Sequence, residues 1–218
     1  MSATSDSETG TARIHQEEIL EAAALCFMER GYNASSIDDV ARRLGSTKGR
    51  IYHHYRSKAD LFADVYRYGM ELNAAAIKPL CRAYDDPIEK LKAMAKVHCL
   101  TMLRTRPFQR CVWEGVSLLM RGATTPEQRE TLVELQGLRE SYAVRFREVI
   151  EGAKESGKAD FESSGIATQI FLMALNSPIF WYSPRDTDDD EQLDEIASRC
   201  TRFALQGLGI GKEYLQDV

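Results

Sequence analysis

Apolar residues recur along this chain at the spacing of one face of an α-helix. The clearest early example is a set of five apolar residues that share one helical face: Ile19, Leu20, Ala23, Phe27 and Met28. We find no convincing run of alternating apolar and polar residues bounded by turn signals, so no segment favours a β-strand. The pattern therefore predicts an all-α fold.

Cap residues, glycines and prolines mark where each predicted helix begins and ends. Gly31 and Gly45 suit the left-handed residue that terminates a helix. Ser36, Thr47 and Ser57 can each cap the helix that follows, and prolines near later helix starts suit first-turn positions. The predicted helices span about Ala12–Arg30, Ile37–Leu44, Thr47–His54, Lys58–Arg82, Ile88–Arg104, Pro107–Arg121, Pro126–Gly152, Ser163–Tyr182 and Glu191–Gly207.

The composition is that of an ordinary globular protein. Of the 218 residues, 44% are hydrophobic and 28% are charged. The first ten residues are small and polar, match neither a secretory signal nor a transit peptide, and are expected to form a disordered tail. The most apolar window, residues 166–182, is interrupted by polar residues and by Pro178, so no membrane span is expected. We therefore expect a cytoplasmic protein.

The charges are segregated along the chain. The net charge is −5, which by itself argues against a nucleic-acid partner. Yet the stretch from Val40 to Lys58 holds six basic residues and no acidic one: Arg42, Arg43, Lys48, Arg50, Arg56 and Lys58. Such a local excess of positive charge is the electrostatic footprint of phosphate binding, although a solvated basic face without function is the simpler alternative.

Two short predicted helices in the same region have the layout of a helix-turn-helix. Ile37–Leu44 and Thr47–His54 flank a turn at Gly45 and Ser46. In this motif the second helix enters the major groove of double-stranded DNA, with its first turn nearest the base edges. Thr47, Lys48 and Arg50 are thus the predicted base readers. The predicted contacts to the sugar-phosphate backbone are Ser36, Tyr52, His53, His54 and Lys58.

Other residues of the motif are expected to be structural. Tyr52 is left open between a phosphate contact and a half-buried position. The predicted core of the small domain is Ile37, Val40, Leu44, Ile51 and Tyr55.

No metal, cofactor or catalytic centre is indicated. The five cysteines include no C-x-x-C pair and are expected to be small apolar core residues. His53 and His54 are adjacent, so they point to different helix faces, and no carboxylate or cysteine stands at ligand spacing from them. Nucleophile motifs, zinc-protease motifs and phosphate-binding glycine loops are missing, which argues against an enzyme.

The stretch from Arg30 to Phe62 resembles the N-terminal domain of TetR-family regulators. Two residues depart from that family's pattern: Ser46 replaces the usual apolar turn residue, and Arg50 replaces a small one, which implies a different operator sequence. The residues that match are Gly31, Tyr32, Ser35, Ser36, Ile37, Ala41, Gly45, Thr47, Lys48, Gly49, Ile51, Tyr52, His54, Tyr55, Ser57, Lys58, Leu61 and Phe62.

The resemblance implies a domain order and a homodimer. Residues 1–10 are then the tail, 11–57 the helix-turn-helix domain, and 58–218 a helical domain for effector binding and dimerisation. In this family the last two helices of each subunit typically form a four-helix interface. The apolar residues of those helices that could form this interface, or could equally be internal core, are Ile170, Phe171, Ala174, Ile179, Phe180, Phe203 and Leu205.

A small lipophilic effector is the expected partner of the larger domain. Methionines and aromatic residues at helical spacing in its middle helices form either plain core or an apolar pocket. The candidate pocket residues are Met94, His98, Met102, Phe108, Trp113, Met120, Tyr142 and Phe146, with His98, Arg104 and Glu114 as polar groups that could orient a ligand.

The segment from Ile179 to Leu208 resembles the C-terminal end of TetR-type repressors of fatty-acid and sterol degradation. Trp181, Tyr182 and Pro184 match a W-Y-x-P turn, and Ser183 stands where a basic residue is common. This resemblance implies a repressor that an acyl-CoA-type thioester releases from its operator. The alternatives are a non-thioester aromatic or drug-like inducer, or a DNA-binding protein that responds to no ligand.

Overall fold

The computed structural model describes residues 4–122, 125–185 and 188–216, with side chains from Gln16 onward. Every regular element among these residues is helical, which confirms the predicted all-α fold. No helix among them is long and apolar enough to cross a membrane. In chain order the helices are α1 Thr4–Arg30, α2 Ile37–Arg43, α3 Lys48–His54, α4 Lys58–Ile77, α5 Pro87–Arg104, α6 Arg106–Arg121, α7 Pro126–Glu155, α8 Ser164–Asn176, α9 Pro178–Trp181 and α10 Asp190–Gly207.

Several helix boundaries differ from the predicted ones, most clearly the start of α1 and the end of α4. The backbone of α1 is helical from Thr4 rather than from about Ala12, so it includes residues 4–10 of the predicted tail. α4 ends at Ile77 rather than near Arg82 because the residue before Pro79 is disfavoured in the helical region. A separate 3-10 turn, Leu80–Arg82, follows it.

The predicted helix Ser163–Tyr182 is interrupted near its C-terminal end. α8 ends at Asn176, and the short α9 begins at Pro178. Proline has no amide proton, so Pro178 cannot donate to the carbonyl of Ala174 as a continuing helix requires. The amide of Ser177 donates to that carbonyl instead, over 3.3 Å. The predicted single helix was therefore wrong at this point.

The chain forms two compact units. The first comprises the residues up to Met70 together with Pro107–Gln136, and the second comprises Glu71–Arg106 together with the residues from Gly137 onward. The first unit thus contains α1, α2, α3 and α6, while the second contains α5, α8, α9 and α10.

The core of the first unit forms around α1 and the start of α4. Ile19, Ile51 and Leu61 are completely buried. Phe62 contacts two other aromatic rings edge-on, with ring centroids 5.4 Å from Phe27 and 4.8 Å from Tyr32. Edge-on ring pairs of this kind add to the free energy gained by burying their apolar surface. These ring contacts hold the start of α4 against the end of α1 and the residue Tyr32 that follows it.

The core of the second unit contains a buried polar pair inside an aromatic cluster. The ring of Phe146 lies within aromatic contact of His98, Tyr142 and Phe171, with centroid distances of 5.6, 5.6 and 6.1 Å. His98 is 2% exposed, and its Nδ1 lies 2.7 Å from the Tyr142 hydroxyl. Its Nε2 lies 2.8 Å from Oδ1 of Asn176. Both ring nitrogens of this buried histidine are therefore hydrogen-bonded, as burial requires.

Candidate functional site

The first short helix of the motif begins with a capping box. The hydroxyl of Ser36 accepts from the amide of Asp39 over 3.2 Å, and the amide of Ser36 donates to the Asp39 carboxylate over 3.0 Å. The Ser36 hydroxyl also donates to that carboxylate over 2.6 Å and lowers the pKa of Asp39 to about 2. This arrangement confirms Ser36 as the predicted cap of α2. It also means that the predicted phosphate contact of Ser36 requires its hydroxyl to leave Asp39.

The turn between α2 and α3 depends on Gly45. Its φ is +64°, a left-handed conformation that costs glycine little and other residues more. The amide of Ser46 then donates to the carbonyl of Ala41 over 2.9 Å, which closes the end of α2. Thr47 follows as the cap of α3, and its hydroxyl accepts from the amide of Arg50 over 3.4 Å. The sequence predicted both the turn and this cap.

Helix α3 buries one of its side chains in the core of the first unit and leaves most of the others exposed. Ile51 is completely buried, whereas Thr47, Lys48, His53 and His54 are exposed. The ring of Tyr52 is 46% exposed, which favours the predicted phosphate contact over a half-buried position. Four of the five predicted core residues are buried, namely Ile37, Val40, Ile51 and Tyr55; Leu44 is only half-buried.

The basic side chains of the motif are paired with carboxylates. Lys48 Nζ lies 3.1 Å from Oδ2 of Asp38, and Arg50 Nη2 lies 3.1 Å from Oε2 of Glu18. Arg42 pairs with Asp39 over 3.0 Å, and Arg43 pairs with Glu29. The run of positive charge in the sequence is therefore largely compensated in space. Because these pairs are partly exposed, each is weak enough for DNA phosphates to compete with it.

Lys58 occupies a structural position rather than an open one. Its Nζ donates to the carbonyls of Tyr32 and Ser35 over 2.8 and 2.9 Å, and to that of Asn33 over 3.4 Å. The same ammonium lies 4.4 Å from the ring centroid of Tyr32. Burial lowers the pKa of Lys58. Since an ammonium has three donors, the predicted phosphate contact would require Lys58 to give up these carbonyls.

The eight predicted pocket residues are divided between the two units. Met94, His98, Met102, Tyr142 and Phe146 are buried in the second unit, and His98, Tyr142 and Phe146 contact one another there. The other three belong to the first unit. Among them, Phe108 packs against Tyr68, Trp113 is half-buried, and Met120 is 82% exposed, so the prediction that Met120 lines a pocket was wrong.

The second unit has a large open groove that the sequence did not predict. It encloses about 830 Å³ between the chain that follows α4, the start of α5 and the C-terminal half of α7. We call it the basic groove because its lining contains more cationic than anionic side chains. The cationic ones are Lys78, Arg82, Lys90 and Arg145, and the anionic ones are Asp85 and Glu148.

Two family models match this chain. Residues 19–65 match the model described as bacterial regulatory proteins, tetR family, and residues 84–208 match the model described as tetracyclin repressor-like, C-terminal domain. The chain belongs to the TetR family. This membership agrees with the resemblance seen in the sequence and with the exclusion of an enzyme, because the family consists of transcription regulators.

Individual relatives match over shorter stretches. The transcriptional repressor KstR2 of Mycobacterium tuberculosis is 29% identical over 89 residues, which cover 41% of this chain and 44% of KstR2. The chain thus spans less than half the length of this curated relative. Among solved structures, the TetR-family regulator PfmR of Thermus thermophilus is 27% identical with a TM-score of 0.71, covering 87% of this chain and 98% of PfmR.

A second solved structure shares the fold. It is AibR in complex with isovaleryl coenzyme A and operator DNA, with 24% identity, a TM-score of 0.67, and coverage of 85% of this chain and 97% of AibR. At this identity the likeness shows the TetR-family fold alone.

The last helices of this TetR-family protein carry an exposed apolar face. Of the residues predicted for a dimer contact, Ile170, Phe180 and Phe203 are 64%, 42% and 71% exposed. Phe171, Ile179 and Leu205 are buried, so they form internal core instead, and Ala174 is half-buried. Ile166 and Met173 are further exposed apolar residues of α8 that were not among the predicted ones.

The cysteines of the TetR-family chain agree with the expected core role in three of five cases. Cys26, Cys99 and Cys111 are buried, while Cys81 and Cys200 are half-buried, and all five are free thiols. Cys81 lines the basic groove. Arg145 also lines the groove and lies within one turn of α7 from Tyr142 and Phe146, so the aromatic cluster and the groove adjoin each other within the same unit.

Proposed function

We propose that this TetR-family protein is a homodimeric repressor that binds a palindromic operator through α3 and is released when each subunit binds an acyl-CoA-type thioester. The exposure of α3 is the observation that best supports the DNA-binding part. One buried residue, Ile51, anchors the helix, and the residues at its capping end remain accessible. A helix held in this way can enter the major groove with its first turn towards the bases.

The roles of the side chains follow from their positions on α3. Thr47, Lys48 and Arg50 lie in or before its first turn and read base edges, with Arg50 suited to a bidentate contact with guanine. Tyr52, His53 and His54 contact the sugar-phosphate backbone. For this to happen, Lys48 and Arg50 exchange their carboxylate partners for DNA, a change that costs little because both pairs are partly exposed.

Ser36 and Lys58 support DNA binding indirectly in this proposal. Ser36 is engaged with Asp39, and Lys58 is engaged with the carbonyls of the segment between α1 and α2. We infer that Lys58 holds that segment in place and thereby orients α2 against the phosphate backbone. Lys58 is thus a positioning residue.

The basic groove supports the choice of a coenzyme A thioester. Coenzyme A carries phosphate groups at one end and its acyl chain at the other, so its site needs cations next to an apolar surface. The groove supplies four cationic side chains, and α7 carries Arg145 at the groove within one turn of Tyr142 and Phe146 of the aromatic cluster. A volume of about 830 Å³ lies within the range of about 300–1,000 Å³ typical of ligand sites. AibR, which shares the fold, binds isovaleryl coenzyme A.

The exposed apolar face on α8, α9 and α10 supports the dimer. A patch of this kind on a folded chain marks a surface that another protein covers. A twofold interface presents two copies of α3, which must lie about 34 Å apart to enter successive major grooves. Release then needs a ligand that binds more tightly when the two copies of α3 lie at another distance. A coupling free energy of about 1–3 kcal/mol between ligand and DNA binding suffices.

Selection of bound duplexes from a random DNA pool tests the DNA-binding part. A palindromic preferred site is the expected result, since a twofold dimer binds two equivalent half-sites. Absence of any preferred sequence would contradict base reading by α3.

Titration of the bound operator with acyl-CoAs at fixed salt tests the effector. We expect acyl-CoAs to release the operator, and both Lys90→Gln and Arg145→Gln to weaken that response about tenfold, as loss of a charged hydrogen bond does. Lys212→Gln removes an exposed charge elsewhere in the same unit and should leave the response unchanged. Release by uncharged aromatic compounds but not by acyl-CoAs would reject the thioester and retain the repressor.

A further inference from the structure

The first unit contains a smaller cavity that lies apart from the basic groove. It encloses about 270 Å³ and is lined by residues of the segment between α1 and α2, the start of α4, the end of α6 and the first turns of α7. An apolar cavity of about 150 Å³ is enough for a benzene ring. The space therefore suits an aromatic ring with a short chain rather than a coenzyme.

The walls of this cavity are mainly apolar. Phe62 and Leu135 are almost completely buried, and Leu118 and Leu132 are each 7% exposed. The ring of Tyr32 completes this part of the lining. A ligand seated here removes apolar surface from water on several sides at once, which is the main source of affinity for small apolar molecules.

The charge of the lining has one sign. Asp60 on α4 and Glu127 on α7 are its charged members, and none of the described lining residues is a lysine, arginine or histidine. Glu127 keeps its carboxylate ionised, because hydrogen bonds from its own amide and from the Thr125 hydroxyl lower its pKa. This electrostatic character is opposite to that of the basic groove.

We propose that this cavity is a second small-molecule site, which takes a lipophilic amine with its apolar body between α4, α6 and α7 and its ammonium towards Asp60 and Glu127. The ammonium faces these carboxylates rather than the ring of Tyr32, because Lys58 already lies over that ring at 4.4 Å. The carboxylates select a cation over an uncharged molecule of the same shape, and the apolar walls select an aromatic body over a small inorganic cation.

The site includes residues next to the DNA-reading helix. Ser57 and Ala59 of its lining stand directly before and after Lys58, which holds the segment between α1 and α2. All of its lining residues belong to the first unit and those of the basic groove belong to the second, so the two sites share no lining residue.

Calorimetric titration of the full chain without DNA tests the proposal with a matched pair of probes. The probes are 2-phenylethylamine, which is cationic at neutral pH, and 2-phenylethanol, which has a similar shape and no charge. We expect saturable binding of the amine about two- to fivefold tighter than that of the alcohol, as expected for a cation beside exposed carboxylates. Absence of saturable binding at millimolar amine, or equal affinity for both probes, would overturn the proposal.

Two kinds of variant locate the binding. Asp60→Asn should reduce the affinity for the amine towards that for the alcohol, whereas Glu130→Gln, an exposed carboxylate of α7 outside the lining, should not. Leu132→Trp should abolish binding of both probes by filling the cavity, whereas Val133→Trp, at a 54% exposed position, should leave it intact.

A variant that replaces no buried core residue separates a filled cavity from a misfolded protein. Thr131 is half-buried in the lining, so Thr131→Phe narrows the cavity without replacing a buried core residue. Thermal unfolding of each variant shows whether it is folded. Amine binding that survives in folded Thr131→Phe and Leu132→Trp would place the amine elsewhere and reject this site. None of these measurements uses operator DNA or acyl-CoA, so their outcome is separate from that of the proposed function.

Discussion

Arg50 Nη2 lies 3.1 Å from Oε2 of Glu18, so the side chain proposed to read a guanine is held by a carboxylate of α1. The two residues are separated by 32 positions in the sequence. Both side chains are partly exposed, at 34% and 48%, and the pair therefore contributes little to stability. The pair matters for DNA binding, because Arg50 must separate from Glu18 before it can contact a base.

Replacing Glu18 by glutamine should strengthen DNA binding. Glu18→Gln removes the charge that competes with DNA for Arg50, and pairs of this kind contribute about 0.2–1 kcal/mol, which is up to about fivefold in affinity. Fluorescence anisotropy on labelled duplexes at fixed salt measures the change. Glu21→Gln is the control, because Glu21 is an exposed carboxylate of the same helix. Equal effects of the two substitutions would show that only the net charge of α1 matters.

Replacing Arg50 by alanine should relax the preference for one base pair. A bidentate contact with guanine contributes about 1–3 kcal/mol of discrimination, and Arg50→Ala removes it. Affinities for the preferred site and for single-base variants of that site measure the effect, with scrambled DNA as reference. If Arg50→Ala weakens specific and scrambled DNA equally, Arg50 is a phosphate contact and the base-reading role is wrong.

Replacing Lys58 by methionine should destabilise the first unit as well as weaken DNA binding. Lys58→Met keeps much of the apolar stem but leaves the carbonyls of Tyr32 and Ser35 without their donor, at a cost of about 1–3 kcal/mol. Urea unfolding and operator affinity measure the two effects. Arg56→Met removes an exposed charge two positions away and should weaken DNA binding without lowering stability. A fully stable Lys58→Met protein that binds the operator weakly would indicate a direct phosphate contact instead of the structural role.

The buried His98 should make stability depend on pH. Burial lowers the pKa of His98 from 6.5 to about 4, so the unfolded chain binds a proton in a range where the folded chain does not. Stability should therefore fall as the pH drops from about 6.5 to about 4, by up to about 3 kcal/mol from this group.

Urea unfolding at several pH values in that range measures this dependence for the natural chain and for His98→Phe. The variant loses the hydrogen bonds to Tyr142 and Asn176 and should be less stable throughout. It should nevertheless lose less stability on acidification. Parallel pH profiles for both proteins would show that other groups cause the acid sensitivity.

A charge on the exposed apolar face should prevent dimer formation. Phe203→Glu places a carboxylate at a position that is 71% exposed in the single chain and buried in the proposed dimer. We expect a monomer in analytical ultracentrifugation and much weaker operator binding, since burying an unpaired carboxylate in an apolar interface is strongly unfavourable. Val144→Glu, on α7, is the exposed control. A Phe203→Glu dimer of unchanged stability would place the interface elsewhere.

Local signals predicted the DNA-reading part of this fold well. Ser36 and Thr47 cap helices as expected, and Gly45 has the left-handed conformation that its turn requires. Each of these features depends on residues within a few positions, so the sequence displays them directly. Pro178 is also a local signal that a helix ends, but the apolar residues on both sides of it favoured one continuous helix.

Long-range relationships could not be read in the same way. The pairing of Glu18 with Arg50 and the convergence of Lys78, Lys90 and Arg145 on one groove depend on how helices pack, which periodicity does not encode. Helical spacing likewise grouped Met120 with buried residues, although it lies on the exposed side of α6. The resemblance to TetR-family regulators directed the dimer prediction to the last helices, where Ile170, Phe180 and Phe203 are exposed, but periodicity did not separate them from the buried Phe171, Ile179 and Leu205.

The compensated charges of the reading helix have a consequence for how fast the operator is found. Any stretch of genomic DNA attracts a basic protein through its phosphates, and most of these encounters are unproductive. Each of the pairs that Lys48, Arg50 and Arg43 make with carboxylates is weak, but all three must separate on contact with DNA, and their small costs together shorten each unproductive encounter. The protein is therefore expected to spend more of its search in free diffusion, and to stop only where base contacts outweigh the pairs it must break.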